Sequence, residues 1–177
     1  MKFTRDEVRD IAAQPDNDFL FGAEDPQGLR CPFGAHIRRA NPRESFAPGS
    51  QEQLAITNRH RILRVGRRYR PADGERPGLF FMCLNADLER QFEFVQQTWL
   101  QAPAFHGLID ERDPIVGSRH PDAQVPDDGF SLPTRQAPVR FKGMPEFVRT
   151  LGGGYFFVPG RSLLRYLASG GGAATPL

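Results

Sequence analysis

A chain of 177 residues with 39% hydrophobic content is long enough for one domain with a core of its own. Its net charge of +2 excludes the strongly basic balance of a dedicated nucleic-acid binder. No apolar run reaches the roughly 18 residues of a membrane span, and Met1-Lys-Phe-Thr-Arg5 opens a charged segment rather than a signal-peptide core, so a soluble, cytoplasmic protein with no membrane partner is expected.

Thr4-Arg-Asp-Glu7 fits a capping box ahead of Val8, Ile11 and Ala12, which predicts a first helix over about residues 4 to 14 within an N-terminal segment 1–16. Residues 17 to 34, with Pro26, Pro32 and three glycines, read as an extended loop that delivers His36 to the interior on a short helix ended by Pro42. Ser50-Gln-Glu-Gln53 opens another short turn. Arg61 to Val65 and Leu79 to Leu84 are the strand candidates, joined through the polar stretch Arg67 to Pro77 as a long hairpin. Asn85 is a suitable N-cap for a helix with Leu88, Phe92, Val95 and Trp99 on one face.

From Gln101 to Pro138 the composition turns to Pro, Asp, Gly and His without periodicity, the mark of a wrapping or site-forming loop. Gly152-Gly-Gly-Tyr-Phe-Phe-Val158 reads as a strand entered through glycines, and Pro159 to Leu167 as a closing helix. The body of the protein is then 17–168, followed by a fraying small-residue tail at 169–177. This order of elements suits an α+β sandwich. The two cysteines, Cys31 and Cys83, lack C-x-x-C partners and read as small buried hydrophobes, giving neither a zinc knuckle nor a disulfide framework.

The densest chemical signal is Cys31-Pro-Phe-Gly-Ala-His36-Ile-Arg38-Arg39-Ala-Asn-Pro-Arg43. A neutral imidazole is a common ligand of haem iron, and Arg38, Arg39 and Arg43 suit the two carboxylates at a haem edge. By residue type alone, His36 is as readily a surface or satisfied core histidine. The arginines from 38 to 70 would equally form a basic patch, although interleaved aromatics for base stacking are not evident there.

Taken with His60-Arg-Ile-Leu-Arg64-Val-Gly66 and Gly78-Leu-Phe-Phe-Met-Cys-Leu-Asn-Ala86, that stretch resembles the C-terminal half of the dye-decolorizing peroxidases, a family of haem peroxidases. The likeness runs from about Asn17 to Tyr166 and rests on long strings such as CPFGAHIRR and NRHRILR. It implies a ferredoxin-like antiparallel sheet with helices on one face, this chain being one of the family's two such halves. It also implies haem b as cofactor, with hydrogen peroxide and aromatic reductants as substrates.

On that resemblance His36 takes the place of the proximal iron ligand. Asp113 takes that of the carboxylate holding its other ring nitrogen, with a plain Asp-Pro turn as the alternative. Arg64 matches the distal arginine, whose fixed charge stabilises negative charge on a departing peroxide oxygen; otherwise it is a strand-edge arginine in a surface salt bridge. Leu79 and Phe81 match the apolar roof of the distal pocket. Trp99 sits near a surface tryptophan that relays radicals in some members, with Tyr69, Tyr155 and Tyr166 as further relay candidates and ordinary packing as the competing role.

Two other features carry less. Gly152-Gly-Gly154 enters a strand rather than leaving one into a helix, so it does not build a phosphate loop. His106 and His120, near Asp110, Asp113 and Asp122, lack ligand spacing and read as solvated loop residues.

The family's Gly-x-x-Asp-Gly motif, whose aspartate takes the peroxide proton, has no counterpart. Arg70-Pro-Ala-Asp73-Gly74 and Val125-Pro-Asp-Asp128-Gly129 lack its leading glycine and lie downstream of His36. Arginine is not deprotonated in proteins, and general acid-base help is worth about a hundredfold to ten-thousandfold. A slow peroxidase is therefore expected. The alternatives are a non-catalytic haem-binding module and one half of a split peroxidase that needs a complementary N-terminal half. The uncovered side of such a half would also favour a homodimer.

Overall fold

The computed structural model describes residues 17–72, 74, 76–118 and 128–169. The helix expected at 4–14, Asp73, His120, Asp122 and the tail beyond Ser169 lie outside the described residues. Five helices and four strands follow in order: α1 (Phe21–Glu24), α2 (His36–Ala40), α3 (Gln51–Asn58), β1 (Leu63–Tyr69), β2 (Gly78–Leu84), α4 (Glu89–Glu93 and Val95–Leu100), β3 (Phe130–Leu132), β4 (Val139–Phe141) and α5 (Arg161–Ala168). A single 3-10 turn, Phe105–Gly107, lies between α4 and β3. Among the described residues no helix is long and apolar enough to cross a membrane.

Local chemistry accounts for several of these boundaries. The Ser50 side chain accepts from the Gln53 amide at 3.1 Å, so the short turn expected there extends into the full helix α3. The residue before a proline avoids the helical region, and α2 stops at Ala40, ahead of Asn41-Pro42. β1 and β2 pair antiparallel from Leu63↔Leu84 to Tyr69↔Gly78, which carries the first strand four residues past its expected end at Val65. The Tyr69 ring lies over Gly78, in space a side chain at 78 would occupy.

The helix after β2 corrects two expectations. Asn85 does not cap it: its amide donates to the Cys83 sulfur at 3.3 Å. Asp87 caps instead, its Oδ1 accepting from the Arg90 amide at 3.0 Å, while Gln91 Oε1 accepts from the amides of Ala86 and Asp87. α4 is also wound wider than an α-helix, with i→i+5 bonds such as Glu93 N to Leu88 O and Gln101 N to Gln96 O. Val95, Trp99 and Leu100 are buried, whereas Leu88 is exposed.

Two further expectations fail. Gly152 to Val158 is not a strand, and Phe156 and Phe157 stand exposed. Three successive glycines carry a high entropic penalty for extension, and neither two-stranded sheet, β1-β2 or β3-β4, takes the segment up as a third strand. Both cysteines are free and only half-buried.

The core is small. Among the described residues only Phe21, Val95, Trp99, Leu100 and Phe105 are buried hydrophobics, and α2 packs against the second half of α4 around them. The buried polar set, which includes Arg38, Arg39, Arg43, Glu44, Glu111 and Asp113, is larger. Most apolar side chains of β1, β2 and α5 face outward uncovered.

Candidate functional site

His36 opens α2, and the loop following α4 comes back to meet it. Leu100 O accepts from the Asp113 amide at 2.9 Å, which anchors the carboxylate. Asp113 is fully buried; its Oδ2 lies 2.9 Å from His36 Nδ1, and its Oδ1 accepts from the amides of Ile115 and Val116, each at 2.9 Å. The turn reading and the carboxylate reading of Asp113 are thus one structure: one oxygen closes the Asp-Pro turn and the other takes the imidazole. With Nδ1–H donating to Asp113, the lone pair sits on Nε2, on a side chain 38% exposed.

The three arginines after His36 are not at the surface. Arg38 lies between the Phe21 and Phe33 rings and donates to the carbonyls of Asp25 and Cys31. Arg39 donates to the carbonyls of Trp99, Ala102 and Glu111. Burial pushes both guanidiniums down from the usual arginine range, opposed by Asp25 at Arg38 and by Asp113 and Glu111 at Arg39. The forks expected to meet haem carboxylates are spent on loop carbonyls, which must be paired once buried.

Arg43 is different. Its φ of 53° is unusual for a side chain of this size, and Thr57 holds it by donating to its carbonyl at 2.7 Å. Its guanidinium sits over Phe19, donates to Asn17, and lines an open groove with Asp18, Leu54, Asn58 and Arg61.

The register of the first hairpin puts Arg64 opposite Cys83, Gly66 opposite Phe81 and Arg68 opposite Leu79. Opposed residues and residues two apart share a face. Arg64, Leu79 and Phe81 therefore stand together on one face around Gly66, where an added Cβ would only just touch Leu79, at 3.4 Å. Leu79 and Phe81 are 61% and 44% exposed. From Phe81 a line of rings runs through Phe92, with centroids 6.4 Å apart, to the exposed Tyr155 at a further 6.2 Å. A hydrogen bond to Glu93 pushes the Tyr155 hydroxyl up from its ordinary pKa.

Trp99 is not a surface residue: it is buried edge-on against His60 and Phe94. His106 is not solvated either. It stacks on Phe33 at 4.3 Å and Phe46 at 5.2 Å and donates from Nε2 to Ser45 O, and burial pushes its pKa down. No sequence signal marked it, because its aromatic neighbours lie some sixty to seventy positions away. Glu111, also missed, is fully buried beside Gly34; its place two residues before Asp113 was the available clue.

No protein-family model matches the chain. Among curated proteins, the multifunctional dye peroxidase DyP2 of an Amycolatopsis species is 35% identical over 171 residues, which is 85% of this chain and 35% of that protein. The dye-decolorizing peroxidase msp1 of Mycetinis scorodonius is 30% identical over 175 residues, 88% of this chain and 33% of that one. The chain thus spans about a third of the length of these relatives. Among solved structures, the DyP-type peroxidase of an Anabaena species superposes with a TM-score of 0.58 at 26% identity, covering 72% of this chain and 28% of that one. DyP2 superposes with a TM-score of 0.55 at 30% identity, covering 73% and 30%. The likeness carries the ferredoxin-like α+β fold, of which this chain holds antiparallel strand pairs and their helices. By sequence and by fold, the chain belongs to the dye-decolorizing peroxidase family.

Proposed function

We propose that this chain is the haem-ligating part of a peroxidase that reduces hydrogen peroxide and oxidises dyes or other aromatic donors. The observation that carries the reading is the buried Asp113 carboxylate on His36 Nδ1, which fixes the tautomer and leaves Nε2 as a basic, half-exposed ligand atom. Haem b, when bound, supplies the redox centre at which peroxide is reduced.

The chain's own residues have distinct parts in this reading. His36 would hold the iron through Nε2, with Asp113 fixing the orientation and tautomer of its ring. Arg43, rather than Arg38 or Arg39, is the arginine for a haem carboxylate, since it lines an open groove with Arg61. Arg64 would supply a fixed positive charge for negative charge developing on bound peroxide. Leu79 and Phe81 restrict the space above, and Gly66 keeps their face flat. Tyr155 is the surface point at which bulky donors would deliver electrons, with Glu93 ready to accept its phenolic proton, and the buried Trp99 could serve only as an inner relay.

No carboxylate among these residues replaces the Gly-x-x-Asp-Gly aspartate, so the peroxide proton has no base and turnover is slow for the chain alone. The uncovered apolar faces of β1 and β2 favour a second element in the reading: a complementary N-terminal half that covers the hairpin and brings that carboxylate. Reconstitution with haem tests both elements. A Soret band lost in His36→Ala, with weak dye oxidation that rises on adding an N-terminal half from a relative, supports them. Full activity of the chain alone refutes the need for the missing acid-base.

A further inference from the structure

Glu111 is completely buried, yet neither carboxyl oxygen closes a hydrogen bond of ordinary geometry, although the hydroxyl and amide of Ser131 approach it. A buried carboxyl in that state calls for a reason. Its Oε1 occupies the space where a side chain at Gly34 would begin, with Phe130 closing the other side. Gly34 is not among the glycines with positive φ, so its backbone does not require glycine. What requires glycine there is the close approach of Glu111.

The segment from Glu111 to Asp113 meets the start of α2 at three points. Glu111 rests on Gly34, Asp113 takes His36 Nδ1, and Arg39 Nη2 donates to Glu111 O. The first and last contacts bracket the histidine in sequence. We propose that Glu111 is a positioning residue for His36, acting through a size-matched contact with Gly34 that keeps Asp113 in register with the imidazole. Shape carries the contact: burial pushes the Glu111 carboxyl toward its neutral form, against Arg39 and Arg140. The inference rests on His36 being the iron ligand for its consequence, though not for its geometry.

The test uses the full chain without haem and then with it. In the haem-free protein the downfield proton resonance of His36 Nδ1–H reports the bond to Asp113. Gly34→Ala, which puts a methyl group where Oε1 lies, is expected to abolish that resonance while far-UV circular dichroism is kept. Gly34→Ala combined with Glu111→Ala is expected to recover it in part, because the added methyl group takes up some of the space the carboxyl leaves, and Glu111→Gln, of the same shape, to leave it in place. In the loaded protein Gly34→Ala is expected to weaken haem binding about tenfold to a hundredfold, as for other partners that orient a ligating histidine.

An unchanged resonance in a folded Gly34→Ala variant overturns the proposal, as does a double variant no better than the single one. Should Gly34→Ala not fold, Glu111→Ala alone decides: loss of the resonance supports the contact and its retention overturns it. A wild-type chain that takes up no haem, while these variants still move the resonance, refutes the ligand reading and leaves the positioning contact standing.

Discussion

Between Cys31 and Ser45 the chain buries Arg38, Arg39 and Glu44 and pairs the two guanidiniums with loop carbonyls, whereas β2 leaves Leu79, Phe80, Phe81 and Met82 uncovered. The first region is costly to assemble and closes on itself around His36; the second is hydrocarbon held in place mainly by its partner strand, with Phe81 also touching Phe92. Buried charge survives only when most of its hydrogen bonds are made within reach, and here Arg38, Arg39 and Asp113 make theirs within this chain, with Glu111 the exception. An exposed apolar hairpin of this extent marks a contact surface. In the proposed reading the first region holds the ligand geometry, and whatever covers β1 and β2 completes the opposite wall.

The largest effect expected from breaking the contrast is at Arg39. Arg39→Ala strands the buried carbonyls of Trp99, Ala102 and Glu111 and is expected to lower stability by about 3–5 kcal/mol in denaturant titration. Asp113→Ala comes next, with a loss of about tenfold to a hundredfold in haem affinity by fluorescence quenching and an uncertain tautomer at His36. An Asp113→Ala chain that binds haem as tightly as wild type would remove the carboxylate from the account.

His106 gives a pH test of the proximal side. Burial holds its folded pKa below the ordinary 6.5, so the unfolded chain binds the proton more readily and folding favours the neutral ring. Its contribution is complete above that ordinary value and is lost as pH falls through the window beneath it. Stability should decline over that window in the wild type and less steeply in His106→Gln, as read by thermal melts at stepped pH. The smallest effect belongs to the hairpin: Phe80→Ser is expected to change stability by no more than about 0.5 kcal/mol while reducing ANS fluorescence. A loss of several kcal/mol would mean that the hairpin is already covered, for instance by a second copy.

Much of the geometry of the candidate site was legible before any coordinates. The string around His36, the Asp-Pro carboxylate and the face shared by Arg64, Leu79 and Phe81 follow from a family likeness and from strand periodicity. The burial of Arg38 and Arg39 is not readable from the sequence, because charge is seldom fully buried and only distant loop carbonyls make it tolerable here. The apolar spacing of Leu88, Phe92, Val95 and Trp99 was read at α-helical pitch, but the helix is wound with i→i+5 bonds and Leu88 is exposed. β3 and β4 are three residues each, too short for any period to register. The contact of Glu111 with Gly34 joins positions 77 apart, and nothing local announces it.

The most direct test of the central claim is the absorbance spectrum of the full chain titrated with haem, wild type beside His36→Ala. The account predicts a sharp, saturable Soret shift in the wild type that is absent from a folded His36→Ala variant. The same ligated spectrum in both proteins would contradict it, since the iron would then be held by some other atom.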